Sequence, residues 1–281
     1  AIEGATLSNV TLENVTVTGD RDVGGLAGVN DAGTIRDAKA SASVNGSENV
    51  GGLVGNNDGN VTTATASGNV VATGDSGSAG GLVGFNGGTI QNTSAFGSVK
   101  TAFDGGGLVG THAGVIRDSF AAGEVTATDD SPSLGGIVGF NDGVSVQDSY
   151  FDQRATNQSI AADNPSNFPF GLNLTTAQMQ GQAARTNMSG FDFDNTWTTT
   201  SEYPALRALS ETDQGSGGSD DPIQVDVDPG DLSGDGTESD PYQISNVSEL
   251  QAMEDDLDAN YELVSDIDAS QTAQFNDGRG F

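Results

Sequence analysis

Apolar residues recur along the chain in short alternating runs, broken every few residues by glycine, asparagine or aspartate. In the first twenty positions Leu7, Val10, Leu12, Val15 and Val17 are interleaved with polar residues, which predicts strands of an incomplete first coil. From there a pentapeptide Gly-Gly-Leu-Val-Gly returns, starting at Gly24 (as GGLAG), Gly51, Gly80, Gly106 and Gly135 (as GGIVG), at intervals of 27, 29, 26 and 29 residues. Eight or nine residues beyond its Leu or Ile stands a branched apolar residue: Ile35, Val61, Ile90, Ile116 and Val146. In the first four copies a valine follows nine residues later, at Val44, Val70, Val99 and Val125. Within that interval one column is always alanine (Ala40, Ala66, Ala95, Ala121), and a second is alanine or glycine (Ala42, Gly68, Gly97, Gly123).

These columns are two residues apart, the period of a strand, so their side chains share one face. Self-similarity at this length signals a repeat architecture. Three short strands per copy, joined by Asn/Asp/Gly turns, predict an all-β chain folded as a parallel β-solenoid. Each coil's backbone would be satisfied by the coils above and below. Valine and isoleucine would fill the interior, with alanine and glycine where opposing sheets come close. An antiparallel sandwich is the alternative, but it does not require the same residue at the same offset four times.

GGLVG followed by an Asn-rich turn resembles the GLUG repeat of secreted and surface-attached bacterial and archaeal proteins, over Val23 to about Tyr150. The resemblance implies a β-solenoid. The family name is shared with IgA peptidases, whose activity comes from a separate zinc domain. Nothing here matches its HExxH helix, and the sole histidine is His112.

The expected domains are a β-solenoid over 1–155, a small α+β cap over 156–210, an acidic linker over 211–238 and a β-α-β segment over 239–281. Phe151 occupies the alanine column of the fifth copy, and so bulky a residue is expected to end the stacking. SYFDQRAT resembles the family's terminal-repeat variant, in which an aromatic closes the array. Thr175 with Gln178 has the pattern of a capping box opening a short helix, TTAQMQGQAA. Phe191, Phe193, Trp197, Tyr203 and Leu206 then read as the core of the cap, with a carbohydrate platform as the alternative.

The linker is rich in Gly, Ser, Asp and Pro. Asp231, Ser233, Asp235 and Gly236 match the start of a calcium loop, but Tyr242 stands where the twelfth-position Glu belongs, so a solvated linker is the reading. In the last segment Ser248 and Gln251 form a second capping box over VSELQAMEDDL, between the strands PYQIS and YELVSDIDAS. In proteins with these repeats this pattern usually precedes a solenoid and begins its first coils. The resemblance therefore implies that Tyr242, Ile244, Leu263, Val264 and Ile267 are buried against a neighbouring module or subunit.

Charge changes the picture next. With 40 acidic and 9 basic residues the net charge is −31, which repels nucleic acid and anionic membranes. The acidic residues are spread along turns and linker, as in adaptation to molar salt, where the Debye length falls to ~3 Å. There is no cysteine and no apolar run long enough to span a bilayer, so neither disulfides nor membrane insertion is expected in this segment. Sequons N-x-S/T begin at Asn9, Asn14, Asn45, Asn60, Asn92, Asn157, Asn173, Asn187 and Asn246, which suggests a glycosylated surface protein.

Enzymatic β-helices place carboxylates and bases in one groove. Here Asp37, Asp118 and Asp148 share one repeat column, which reads as turn structure. His112 takes the place of Asn30, Asn57, Asn86 and Asn141 and reads as a solvated turn residue. The reading is a non-enzymatic extracellular structural module of a surface adhesin or filament, without cofactor. Its expected partners are copies of itself or adjacent tandem modules, with a surface glycan or cell contact as a further one. A carbohydrate-binding or polysaccharide-degrading β-helix is the alternative.

Overall fold

The computed structural model describes residues 1–74, 77–128, 132–142, 145–163, 171–209, 234–237, 239–244 and 259–264. The chain divides into two units, Ala1–Gly217 and Gly218–Phe281. The first is a parallel β-solenoid of about five turns. Three sheets run along it. One stacks Arg21–Gly24, Glu48–Gly51, Ala79–Gly80, Asp104–Gly106 and Ser133–Gly135. A second stacks Ile2–Glu3, Ala27–Asp31, Val54–Asn57, Val83–Asn86, Val109–His112 and Val138–Asn141. The third begins with the long strands Thr6–Thr18 and Thr34–Gly46. In the next coils this strand is broken in two, as Asn60–Ser67 and Val70–Ala72, then Thr89–Ala95 and Val99–Thr101.

Equivalent residues pair in register. Ile35 lies beside Val61, Val61 beside Ile90, and Ile90 beside Ile116. The alanine column runs Leu12, Ala40, Ala66, Ala95, Ala121, Phe151. A second irregularity, a bend two residues after Ile35 and at each equivalent, lies within the first part of this strand, as at Thr63 in Asn60–Ser67 and Asn92 in Thr89–Ala95. Asp37, Asn92, Asp118 and Asp148 make it with φ between 42° and 53°. Asp and Asn tolerate this left-handed conformation best. Thr63 adopts it too, with φ 51°, a strained choice for a β-branched residue.

The pentapeptide is explained by close approach. A Cβ on Gly80 would collide with the carbonyl oxygen of Val83, three residues on, and the first glycine of every copy meets the same obstacle. The second glycine faces the alanine column: a Cβ on Gly81 would lie 3.0 Å from that of Ala95, and one on Gly107 2.6 Å from that of Ala121. This glycine–alanine waist lies between two hydrophobic clusters. One holds Leu53, Leu82, Leu108, Ile90 and Ile116; the other holds Val44, Val70, Val99 and Val125.

Stacking does not end at Phe151. Its ring occupies the space over Gly136, where a Cβ would collide with it. Leu172–Leu174 then pairs in parallel with Tyr150–Asp152, adding another rung. The missing Cβ of the opposing glycine is what admits the large side chain. Between these strands lies helix α1, Gln153–Thr156, whose amides at Arg154 and Ala155 donate to the Asp152 carboxylate.

The expected helix TTAQMQGQAA is broken. A 3₁₀ turn, Thr176–Gln178, is followed by helix α2, Gly181–Asn187. Gly181 has φ 54°, which a continuous helix forbids. Gln178 Oε1 does accept from the Thr175 backbone at 3.0 Å.

The aromatics after it are core, not an exposed platform. Trp197 is fully buried and stacks on Phe191 at 4.6 Å between centroids. Their cluster includes Phe120 and Tyr150, which belong to coil strands, so this segment packs along the outer side of the solenoid. Two hydrogen bonds fix it there: Tyr203 Oη donates to Asp152 at 2.7 Å, and Gly190 N donates to Tyr150 Oη at 3.1 Å.

In the second unit Tyr242–Ile244 and Tyr261–Leu263 form a parallel, in-register pair. The helix expected over VSELQAMEDDL lies outside the described residues.

Candidate functional site

The polar chemistry of the coils is first of all internal. Asn30 Nδ2 donates to Asn57 Oδ1 at 2.7 Å, and Asn57 Nδ2 donates to Asn86 Oδ1 at 2.7 Å. Asn86 Nδ2 lies 3.2 Å from His112 Nδ1, and His112 pairs with Asn141 in the next strand. The amides of Asn30, Asn57 and Asn86 also close their own turns, for example Asn57 to the Gly59 carbonyl at 3.2 Å.

All five side chains are buried, which corrects the solvated-turn reading of His112. A lone turn asparagine would face water. Stacked at identical heights, Asn30, Asn57 and Asn86 pass amide to carbonyl along the column, and Asn86 passes on to the His112 ring, in place of water. Burial lowers the His112 pKa to about 4, against a smaller opposing hydrogen bond to the Ser145 backbone. The neutral ring accepts at Nδ1, so its proton sits on Nε2.

The carboxylates of the bend column sit on the outside. Burial raises the pKa of Asp118, opposed by the 3.0 Å hydrogen bond from Gln91 and reinforced by the charge of Asp148. Asp104 is buried between strands. Burial raises it as well, and the Thr111 hydroxyl, donating at 2.8 Å, opposes this. Asp152 is pulled up by burial. Hydrogen bonds from Thr176, Tyr203 and the α1 amides outweigh that and hold it below the usual carboxylate range.

These groups sit in different columns and serve turns, strands and a helix cap. Among the described residues no three metal-ligating side chains converge. Asp235 and Gly236, of the possible calcium loop, form a turn in which Asp235 N donates to the Asp240 carbonyl, while Asp231 and Ser233 lie outside the described residues. A cavity of ≈290 Å³ opens at the last coil, lined by Phe151, Ile160, Ala161, Ala162, Gly171 and Asn173 with Ser159 and Asp163.

The sequons divide by environment. Asn9, Asn14, Asn60, Asn157 and Asn173 are exposed, while Asn45, Asn92 and Asn187 are half-buried; Asn246 lies outside the described residues. Asn187 Nδ2 is engaged inside α2, donating to the Ala183 carbonyl at 2.8 Å. Asn173 Nδ2 donates to Gln153 at 3.2 Å.

Of the five assembly residues, Ile244 is buried, Val264 is 49% exposed, and Tyr242 is half-buried with its ring 5.7 Å from that of Tyr261. Ile267 lies outside the described residues, as does the side chain of Leu263. Among the described residues no helix is long and apolar enough to cross a membrane.

In-register coils, a glycine waist and an internal amide ladder define a parallel β-solenoid whose repeated residues are structural. The chain carries GLUG repeats: the profile of "The GLUG motif" matches residues 19–45 and 46–71. It is 37% identical over 84 residues to halomucin of Haloquadratum walsbyi, a halophilic archaeon. That match covers 27% of this chain and 1% of halomucin. In fold it is similar to a crystal structure from Bacteroides ovatus named as a candidate immunoglobulin A1 protease. There the TM-score is 0.55 and the identity 21%, covering 72% of this chain and 69% of the other.

Proposed function

We propose that this chain is a non-enzymatic structural module of a cell-surface protein, extended end to end by further solenoid modules. Halomucin and the GLUG motif support the surface setting. The observation that carries the structural role is the use of chemistry-bearing residues as repeat columns. The sole histidine is neutral and locked in the amide ladder, and the aspartates of the bend column make turns. A reaction centre instead needs an acid, a base and a binding group converging on one point.

The end-to-end arrangement rests on the second unit. Its strands Tyr242–Ile244 and Tyr261–Leu263 pair in parallel and in register, the relation between successive coils of a solenoid. Parallel pairing by strand addition is how one module would continue into the next, whether in a tandem chain or between subunits. A head-to-tail contact of this kind need not close, so repeated copies build a filament. Val264, already exposed, would lie in that contact with Tyr242, Ile244, Leu263 and Ile267.

The test is deletion of residues 239–281, followed by electron microscopy and light scattering at molar KCl. The full-length chain should form elongated particles or concentration-dependent assemblies, and the truncated chain should remain monomeric. Two compact monomers of equal length would overturn the assembly.

A further inference from the structure

Two sequons in the middle of the solenoid have opposite surroundings. Asn60 opens the strand Asn60–Ser67 and is flanked by Thr34 in the coil before and Thr89 in the coil after. It is exposed even so, because alternation turns Asn60 outward while Val61, the middle residue of its tripeptide, is fully buried. Thr62, third of the tripeptide, returns to the outer face and is half-buried. Among the described residues neither the Asn60 amide nor the Thr62 hydroxyl takes part in a side-chain hydrogen bond. The acceptor and the hydroxyl two residues on are thus presented together on a rigid strand.

The sequon at Asn92 lies one coil further on but three residues deeper into its strand, at the bend, with φ 52°. Thr93 is fully buried and its hydroxyl donates to Ser119 at 3.0 Å. Ser94 is 3% exposed, and its hydroxyl donates to Thr65 at 2.9 Å. Here the third-position hydroxyl is committed to the coil.

We infer that Asn60 is an acceptor for an N-linked glycan in the folded protein and that Asn92 is not. The donor class is an oligosaccharide linked through its anomeric carbon to a polyisoprenyl phosphate or pyrophosphate. In the transfer the Asn60 amide nitrogen bonds to the anomeric carbon. The bond from that carbon to the phosphate oxygen breaks, the oxygen keeps the electron pair, and the amide gives up one proton to it. The hydroxyl at Thr62 is the feature that sequon-reading transferases require. Asn9 and Asn14 sit at left-handed positions, φ 56° and 53°, but unlike Asn92 they are exposed and so are Thr11 and Thr16. The inference concerns a surface of this chain and is independent of how modules join.

The experiment uses the full folded chain at molar KCl, an archaeal oligosaccharyltransferase and its lipid-linked oligosaccharide, with glycopeptide mass spectrometry after Glu-C digestion. Peptides spanning 55–66 and 87–98 serve as unfolded references. Both peptides should be modified. In the folded chain Asn60 should be modified and Asn92 at least about tenfold less, the factor that a local opening of ~1.4 kcal/mol already produces. Thr62→Ala should abolish the Asn60 glycan while leaving the circular dichroism melt unchanged, which a purely structural role for Thr62 would not do. An unmodified Asn60 in the folded chain, a peptide 55–66 that is not a substrate, or equal occupancy at Asn60 and Asn92 would each overturn the inference.

Discussion

The coils and the aromatic segment beside them are stabilised in opposite ways. The coils use small residues many times: a glycine waist, an alanine column and an amide ladder, each repeated at every rung. The aromatic segment uses large residues once, with Trp197, Phe191 and Phe120 in a single cluster. In a stacked array stability is a sum over neighbouring coils, so damage spreads along the axis. In a single cluster it is concentrated in a few side chains. The coils should therefore be sensitive to added atoms and the cluster to removed ones.

Low salt acts on both regions and should have the largest effect. The net charge of −31 repels itself as the Debye length grows from ~3 Å at 1 M to ~10 Å at 0.1 M. The β-type circular dichroism expected in multimolar KCl should be lost near 0.1 M. An unchanged spectrum and melting temperature at low salt would remove the halophilic interpretation of the charge.

Gly80→Ala should come next. Its methyl meets the Val83 carbonyl oxygen, and backbone atoms cannot rotate away as a side chain can. A loss beyond about 4 kcal/mol is expected, in the exceptional range for single substitutions, measured by chemical denaturation at high salt. A loss under ~1 kcal/mol would show that the turn is free to open.

Trp197→Ala should cost about 3–5 kcal/mol, as for large aromatics deleted from a core. It should release the segment without melting the coils. Limited proteolysis should then cut within 175–206 while the far-ultraviolet spectrum of the coils persists. Simultaneous loss of both would show that the segment is part of the coil's own cooperative unit.

Acid separates the regions by pH. The His112 pKa is about 4 in the fold against 6.5 when free. The unfolded chain therefore takes up a proton first, and the coils lose stability as pH falls from about 6.5 to 4. By linkage this amounts to at most ~3 kcal/mol. His112→Asn, which restores the repeat's own residue, should remove that slope. Asp152 is held low, so its contribution is present above the ordinary carboxylate range and is lost only as pH falls below it. The raised pKa values of Asp104 and Asp118 act in the opposite direction, favouring the fold as they protonate, and are common to both variants. A slope between pH 6.5 and 4 that survives His112→Asn would assign it elsewhere.

Ala95→Leu should have the smallest effect, about 1–3 kcal/mol, because overpacked side chains can shift where backbone cannot. The Cβ of Ala95 sits 3.0 Å from where a Cβ on Gly81 would be. An unchanged melting temperature would mean that the waist has room to spare.

The repeat, its strand period and the in-register solenoid were legible in the sequence. A residue type that returns at one offset in every copy must occupy one position in the stack, and Ile35, Val61, Ile90 and Ile116 do so. The exposed strand position of Asn60 was implicit in the same alternation. Columns, however, do not say which side of the wall faces in. Asparagine at a turn reads as solvated, and only stacking at identical heights lets Asn57, Asn86 and His112 replace water with one another.

Phe151 in the alanine column likewise looked like a stop. Only the empty space over Gly136, a residue fifteen positions earlier in the chain, makes it a continuing rung. The aromatics of the later segment read correctly as core, but the surface that completes that core, Phe120 and Tyr150 on the side of the coils, has no mark in the local pattern. Periodicity along the chain determined what each coil is made of. Contacts between coils and across the waist, which join residues distant in sequence, decided which polar groups lost their water and where the large side chains found room.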